Sequence, residues 1–246
     1  MHGDSMARST IISVNALAAL KPTAIGIAAL PSSIYVNQVF TVKGNLYDTT
    51  TFPYVNVPGK TLHVSYDGVV VGDVVTGPIL EQPTPGYSLQ MSIPTVGTYR
   101  VRVDFDGDAD YLACYHETPE FTVTKIPTVV SIVVNPTSGT VPFTVSVSGT
   151  LLDSAGIALD GKSINLYSNG VFVSATTTAT GNYAFSVNIT VAGTYQFQTE
   201  FLGDATYEGC TVHNGTQGLL ETKPSLLAPL LAGGLLLAGA VWLLKS

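Results

Sequence analysis

The chain has 246 residues, 46% of them apolar and only 11% charged, with a net charge of −7. Ordinary soluble domains carry about 25% charged residues, and this chain leans instead on Thr, Ser, Val and Gly, which suit strands and turns. Its ten basic residues are scattered and build no phosphate-binding cluster, which excludes nucleic acid as a partner.

At the start, Arg8 precedes an apolar stretch from Ile11 to Leu20 that Ser13 and Asn15 interrupt. Ala16-Leu17-Ala18 has the small-x-small form of a cleavage site, but it lies inside the apolar run rather than after it. Residues 1–21 therefore read as a leader or a weak signal segment.

From Pro22 onward one pattern is stated twice. Pro22, Thr23, Pro31, Gly44, Leu46 and Asp48 recur 105 residues later as Pro127, Thr128, Pro136, Gly149, Leu151 and Asp153. Gly97, Tyr99, Phe105, Gly107, Asp108, Tyr111 and Cys114 recur 96 residues later as Gly193, Tyr195, Phe201, Gly203, Asp204, Tyr207 and Cys210. Such a period marks tandem copies of one folded unit. The copies span residues 22–124 and 127–220, each large enough to bury a core, and Thr124-Lys125-Ile126-Pro127 joins them with a stiffening proline.

Strand patterns follow in order. Phe40-Thr41-Val42-Lys43-Gly44 opens one in the first copy and Phe143-Thr144-Val145-Ser146-Val147 its relative in the second. Leu62, Val64 and Tyr66 alternate with His63 and Ser65 before Asp67-Gly68; Ile164 and Leu166 precede Asn169-Gly170. These dipeptides between apolar strands are strong hairpin signals. Tyr99, Val101, Val103 and Phe105 then alternate with charged residues, and Tyr195, Phe197 and Phe201 with Gln196, Gln198 and Glu200. That is a half-buried antiparallel strand with one wet face. Seven or so such strands without a helical period predict a β-sandwich.

The end differs in kind. Residues 226–244 carry no charge, and as a helix they would be about 28 Å long, close to the ~30 Å hydrocarbon core of a bilayer. Trp242 sits near one end and Lys245 follows as an anchor, so the run predicts a transmembrane helix and a lipid-bilayer partner. Gly234 and Ala238 have the small-xxx-small spacing that lets two helices approach, which keeps a homo-oligomer open. The tail also has the look of a sorting signal, but no Leu-Pro-x-Thr-Gly motif precedes it.

The run from Gly149 to Gly156, with Gly181-x-Tyr183-x-Phe185, Gly193-x-Tyr195 and Phe201-x-Gly203-Asp204-x-x-Tyr207, resembles the immunoglobulin-like (Big-type) tandem repeats of bacterial and archaeal cell-surface proteins. The resemblance implies display, stalk building or adhesion without catalysis. The expected fold is all-β: two tandem immunoglobulin-like β-sandwiches followed by a single C-terminal transmembrane helix. Tyr99 and Tyr195 stand where a tyrosine corner would begin the sixth strand, yet Val101 and Phe197 replace the cysteine two residues on, so apolar packing must hold the sheets together.

Several residue sets compete for function. Asp104, Asp106, Asp108 and Asp110 alternate around Gly107 as the ligands of a calcium loop would, whereas the second copy loses two of the four acids. What both copies keep, Gly107-Asp108 with Tyr111 and Gly203-Asp204 with Tyr207, a turn requires in any case. No other cofactor is suggested. Cys114 and Cys210 occupy equivalent points and read as small buried hydrophobes. Asn188 and Asn214 begin glycosylation sequons, and Asn214 is the better acceptor if it lies in a loop. The fall in offset from 105 to 96 gives the first copy nine extra residues, expected near 49–58 with Phe52 and Tyr54 and near 77–85 with Glu81. Exposed aromatics on lengthened loops are the usual contact residues, so Phe52, Tyr54 and Glu81 are the candidate partner-binding residues.

The reading is a non-catalytic, membrane-anchored surface protein whose two modules lie outside and serve spacing, adhesion or binding of a surface protein or glycan. Two alternatives stand beside it: a virion or envelope spike anchored by the same helix, and a polysaccharide-binding accessory module. An enzyme is disfavoured because the four histidines are scattered and no Gly-x-Ser-x-Gly occurs.

Overall fold

The computed structural model describes residues 19–77, 86–214 and 220–223, and the regular structure among them is strand. Among the described residues no helix is long and apolar enough to cross a membrane. The apolar run 226–244, Glu81 and nearly all of the leader lie outside them. The chain divides into two compact units, Met1–Thr124 and Lys125–Ser246.

In the first unit the strands are β1 (Thr23–Ile27), β2 (Ser33–Tyr35), β3 (Phe40–Asp48), β4 (Val55–Asn56), β5 (Thr61–Tyr66) and β6 (Val69–Val75). They continue with β7 (Tyr87–Met91), β8 (Gly97–Tyr99), β9 (Val101–Phe105), β10 (Cys114–Glu117) and β11 (Phe121–Thr124). Strand β3 pairs antiparallel with β1, β4 and β7 to make one sheet. The facing sheet runs β10-β9-β5-β6, and a separate three-stranded sheet runs β2-β11-β8, with β2 parallel to β11. This is an immunoglobulin-like order, with the first, second and fifth long strands on one side of the sandwich.

The second unit repeats it with β12 (Thr128–Val130), β13 (Val133–Asn135), β14 (Ser138–Thr140), β15 (Phe143–Asp153), β16 (Ser163–Ser168) and β17 (Val171–Thr177). Then come β18 (Asn182–Ile189), β19 (Thr194–Tyr195), β20 (Phe197–Phe201), β21 (Cys210–His213) and β22 (Leu220–Lys223). Strand β15 pairs with β12, β13 and β18, opposite a sheet of order β17-β16-β20-β21, and β14 lies parallel to β22.

Alternation in the sequence becomes alternation in burial. Along β3, inward Val42 and Leu46 meet Leu62, Val64, Val101 and Val103 of the facing sheet, all at most 1% exposed. The second core is built likewise from Val147, Leu151, Ile164, Leu166 and Phe197. Each such side chain contributes about 1.5–3 kcal/mol on burial, which is what holds the sheets without a disulfide bridge. Both cysteines are free thiols, half-buried and packed against these cores. Burial pushes both thiols above their ordinary pKa.

The hairpins form as the sequence predicts. Asp67-Gly68 has φ of 43° and 81°, and Asn169-Gly170 has 49° and 79°, the left-handed pair that a two-residue turn between twisted strands demands. The shared glycines Gly44 and Gly149 have a different cause. Each lies under a tyrosine that crosses the strand: the Tyr87 hydroxyl passes Gly44 to donate to the Gly26 carbonyl at 2.9 Å. Tyr183 likewise passes Gly149 to the Ser131 carbonyl and shares a 2.8 Å hydrogen bond with the buried Thr199 hydroxyl. A Cβ at Gly44 would stand 1.8 Å from the Gly26 oxygen, so no larger residue fits.

The nine extra residues of the first unit fall in two places. The offset is 105 at Asp48 and Asp153, 102 at the buried threonines Thr76 and Thr178, and 96 at Tyr87 and Tyr183. Three residues therefore enter before β5, around Phe52 and Tyr54, and six enter between Thr76 and β7.

Candidate functional site

Each Gly-Asp turn that the two copies share is the centre of a charged knot. In the first unit Asp108 Oδ1 accepts the backbone N–H of Asp110 at 2.8 Å and of Tyr111 at 2.9 Å. Its Oδ2 receives Lys60 Nζ at 2.5 Å, and the same ammonium lies 4.9 Å from the centre of the Tyr111 ring. In the second unit Asp204 caps Thr206 and Tyr207 at 2.8 Å each, while Lys162 Nζ reaches Asp204 at 2.7 Å and the Tyr207 ring at 4.7 Å. Buried threonines hold the lysines in place: Thr76 Oγ1 accepts the Lys60 N–H and donates to Val57, and Thr178 does the same between Lys162 and Leu159. The Asp108 carboxyl is held below its usual pKa first by the Lys60 hydrogen bond and then by the Asp110 N–H. For Asp204 burial works upward, but Lys162 and the two N–H groups outweigh it and the net direction is down. This repeated knot ties the turn before β5 or β16 to the turn after β9 or β20.

Lys60 and Lys162 escaped the sequence reading. Their signal was present as Gly59-Lys60 and Gly161-Lys162, but at the intermediate offset of 102, between the two periods that the flanking motifs set.

The four carboxylates of the candidate calcium loop do not converge. Asp104 takes Arg102 through both oxygens, at 2.6–2.9 Å. Asp106 faces His63 Nε2 at 3.3 Å, and Asp108 is committed to Lys60. Among the described residues no group of three or more His, Cys, Asp or Glu side chains gathers as metal ligands. His63 is instead bracketed, with Nδ1 2.7 Å from Asp73 and Nε2 toward Asp106. The Asp73 hydrogen bond raises the pKa of the imidazole above its ordinary value.

Both tyrosine corners form: Tyr195 donates to the Val191 carbonyl at 2.8 Å, and Tyr99 to the Thr95 carbonyl at 3.2 Å. The sequons exchange rank. Asn188 is exposed on β18, whereas Asn214 is half-buried and accepts the Phe197 N–H through Oδ1 at 3.0 Å, closing a sheet rather than a free loop.

Phe52 and Tyr54 lie where the first insertion leaves the sandwich. Phe52 is 90% exposed and Tyr54 53%; their ring centres are 5.9 Å apart, and Tyr54 is 6.2 Å from Tyr47 on β3. The three rings form a continuous aromatic run from the outer sheet face into solvent. It has no counterpart in the second unit, where Leu152 takes the place of Tyr47. Beside it lies an open pocket of about 290 Å³ between β1 and β3.

The hairpin edges are also apolar. Val69, Val70 and Val71 on β6, like Val171, Phe172 and Val173 on β17, are all at least 36% exposed. A bulge at the same point of each edge pair, past Val64 and past Leu166, disturbs the ladder there and so blunts the edge against further strands.

No protein-family model matches the sequence, and no curated protein matches it. By structure the chain is similar to the fibronectin(III)-like modules of Clostridium thermocellum CbhA, with 12% identity over 84% of this chain and 97% of that one and a TM-score of 0.32. It is similar to invasin, a bacterial integrin-binding protein, with 14% identity over 77% of this chain and 38% of that one and a TM-score of 0.44. It is also similar to the Escherichia coli adhesin FdeC, with 16% identity over 82% of this chain and 64% of that one and a TM-score of 0.33. All three scores lie below 0.5, so none of them bears on what this chain does.

Proposed function

We propose that this is a non-catalytic surface protein, anchored in a membrane by residues 226–244, whose two sandwiches stand outside and whose first unit makes the partner contact. The observation that carries the reading is the asymmetry between the copies. Cores, crossing tyrosines and Lys–Asp knots are duplicated, as spacing modules require, while the Phe52–Tyr54–Tyr47 run belongs to one copy alone. A ring that is 90% exposed contributes nothing to the core, and its exposure beside Tyr54 supports a contact role. The six-residue second insertion, which includes Glu81, belongs to the same unit and is proposed as a second contact loop.

The experiment is attachment of the full chain to its native cell or particle surface, with Phe52→Ala and Tyr54→Ala against wild type. Both variants should keep the melting temperature and lose attachment. Unchanged attachment would remove the aromatic run from the function.

A further inference from the structure

The pocket beside Tyr47 has a definite chemistry. The outward row of β1 is small, Ala24 and Gly26, with Ala28 just beyond. The neighbouring outward row of β3 is large: Lys43, Asn45 and Tyr47. The register sets Ala24 beside Tyr47 and Gly26 beside Asn45, and the Ala28 N–H donates to the Lys43 carbonyl at 2.8 Å. A low floor beside a tall wall makes a trough, which measures about 290 Å³ and opens to solvent along its length. That is near the lower end of ligand clefts, about 300–1,000 Å³, and suits a chain lying across it better than a small molecule enclosed by it.

The wall offers one cation and one ring, and Asn45 braces the ring: its Oδ1 accepts the Gly86 N–H at 2.6 Å and its Nδ2 donates to the Tyr47 hydroxyl at 3.2 Å. Lys21, Lys60, Arg100 and Arg102 all hold carboxylates, whereas exposed Lys43 holds none, alone among the described basic residues of this unit. In a chain of net charge −7, an unpaired ammonium in a trough is a ready counter-charge for an acidic ligand. The aromatic run then continues the surface outward through Tyr54 and Phe52. The second unit supplies an internal comparison. At the equivalent points it has Ser131, Ser148, Thr150 and Leu152, and the Ser131 and Thr150 hydroxyls bond across the gap at 2.9 Å.

We propose that this trough binds an acidic polysaccharide, with Tyr47 and Tyr54 stacking on the apolar C–H faces of sugar rings, Asn45 holding the Tyr47 hydroxyl and Lys43 pairing with a uronate carboxylate. The proposal rests on the reading of Phe52 and Tyr54 as contact residues and names their ligand class. An extended peptide is the weaker fit. The main-chain groups of β1 and β3 face one another and bond together, so the trough floor offers no free strand edge for a peptide to pair with. Nucleic acid would need several cations where one is present.

The test is affinity electrophoresis of the full chain through gels holding polygalacturonate, neutral dextran or poly-glutamate, with Lys43→Gln, Tyr47→Ala, Phe52→Ala and Ser148→Ala compared with wild type. Polygalacturonate should retard the wild type and the Ser148→Ala control equally. Lys43→Gln should weaken that binding about tenfold and Tyr47→Ala about fivefold, in line with one charge-assisted contact and one stacking contact. Dextran and poly-glutamate should leave migration unchanged. Retardation by dextran equal to that by polygalacturonate, equal retardation by poly-glutamate, or an unaltered Lys43→Gln variant would each overturn the proposal. The two readings fail separately. If Phe52→Ala abolishes native attachment while polygalacturonate retards nothing, the contact reading survives and the ligand class falls. If Lys43→Gln and Tyr47→Ala lose polygalacturonate while Phe52→Ala alters neither assay, the trough stands and the contact reading falls.

Discussion

Replacing Gly149 by Ala tests why the two copies share a glycine in the middle of their longest strand. The new methyl would stand 2.0 Å from the Ser131 carbonyl oxygen and 2.5 Å from the Tyr183 hydroxyl. An ordinary C···O approach is about 3.3 Å, so the backbone at Ser131 must retreat by more than about 1 Å, or β15 must move into its own core. Overpacking of this kind costs about 1–3 kcal/mol. If the retreat breaks the Tyr183 hydrogen bonds, the fully buried Thr199 hydroxyl is left without that partner, at a further cost of about 1–3 kcal/mol. A combined loss near 3 kcal/mol lowers the melting temperature of a domain this size by roughly 12–24 °C. Differential scanning calorimetry of the whole chain is the suitable assay, because the single tryptophan, Trp242, lies outside both sandwiches. Adding Gly149→Ala to a Tyr183→Phe background should cost less than adding it to wild type, since the clash with the hydroxyl is then gone. A shift below about 2 °C for Gly149→Ala, or strict additivity with Tyr183→Phe, would refute the crossing-tyrosine explanation.

Further outcomes follow from the repeated knot and the charged face. Lys162→Met should destabilise the second unit by about 1 kcal/mol or less, since the pair is partly exposed. Because the Asp204 pKa is depressed on folding, that difference should be present at pH 7 and vanish in urea titrations as pH falls below the usual carboxylate range. His63→Gln should show the opposite window. The raised imidazole pKa makes the His63 contribution, a few tenths of a kcal/mol at this exposure, full below about pH 6.5 and lost as pH rises through the folded value. Comparing Cm at pH 5.5 and pH 9 checks it, and a loss of equal size at both would contradict the bracketing by Asp73 and Asp106. Millimolar calcium or a chelator should leave both melting transitions in place, because Asp104, Asp106 and Asp108 each point to a different cation.

How much of this was legible in the sequence depended on whether a residue's role lies along the chain or across it. Tyr99 to Phe105 alternates by two because one face of β9 is buried, and burial of Val101, Val103 and Phe105 follows the letters directly. Asp67-Gly68 and Asn169-Gly170 announce their turns because φ > 0 is a local demand. Gly44 and Gly149 were visible as repeats without a reason, since the tyrosines they accommodate come from a strand more than thirty residues away. Lys60 and Lys162 drew no notice in the sequence because their partners, Asp108 and Asp204, lie more than forty residues further along the chain. Asn214 misled for a related reason: Gly and Thr around it suggest a loop, but its side chain closes the sheet at Phe197. The trough was hidden most deeply, because its floor is made by what Ala24, Gly26 and Ala28 lack.

The central claim is that the two sandwiches face outward from a membrane. It is tested most directly by labelling lysines with a membrane-impermeant reagent on intact native cells or particles, then mapping the modified peptides. The account expects exposed Lys43 to be labelled before any membrane is opened, with paired Lys60 and Lys162 following more slowly. Labelling of Lys43 only after lysis would contradict it and return the chain to an interior address.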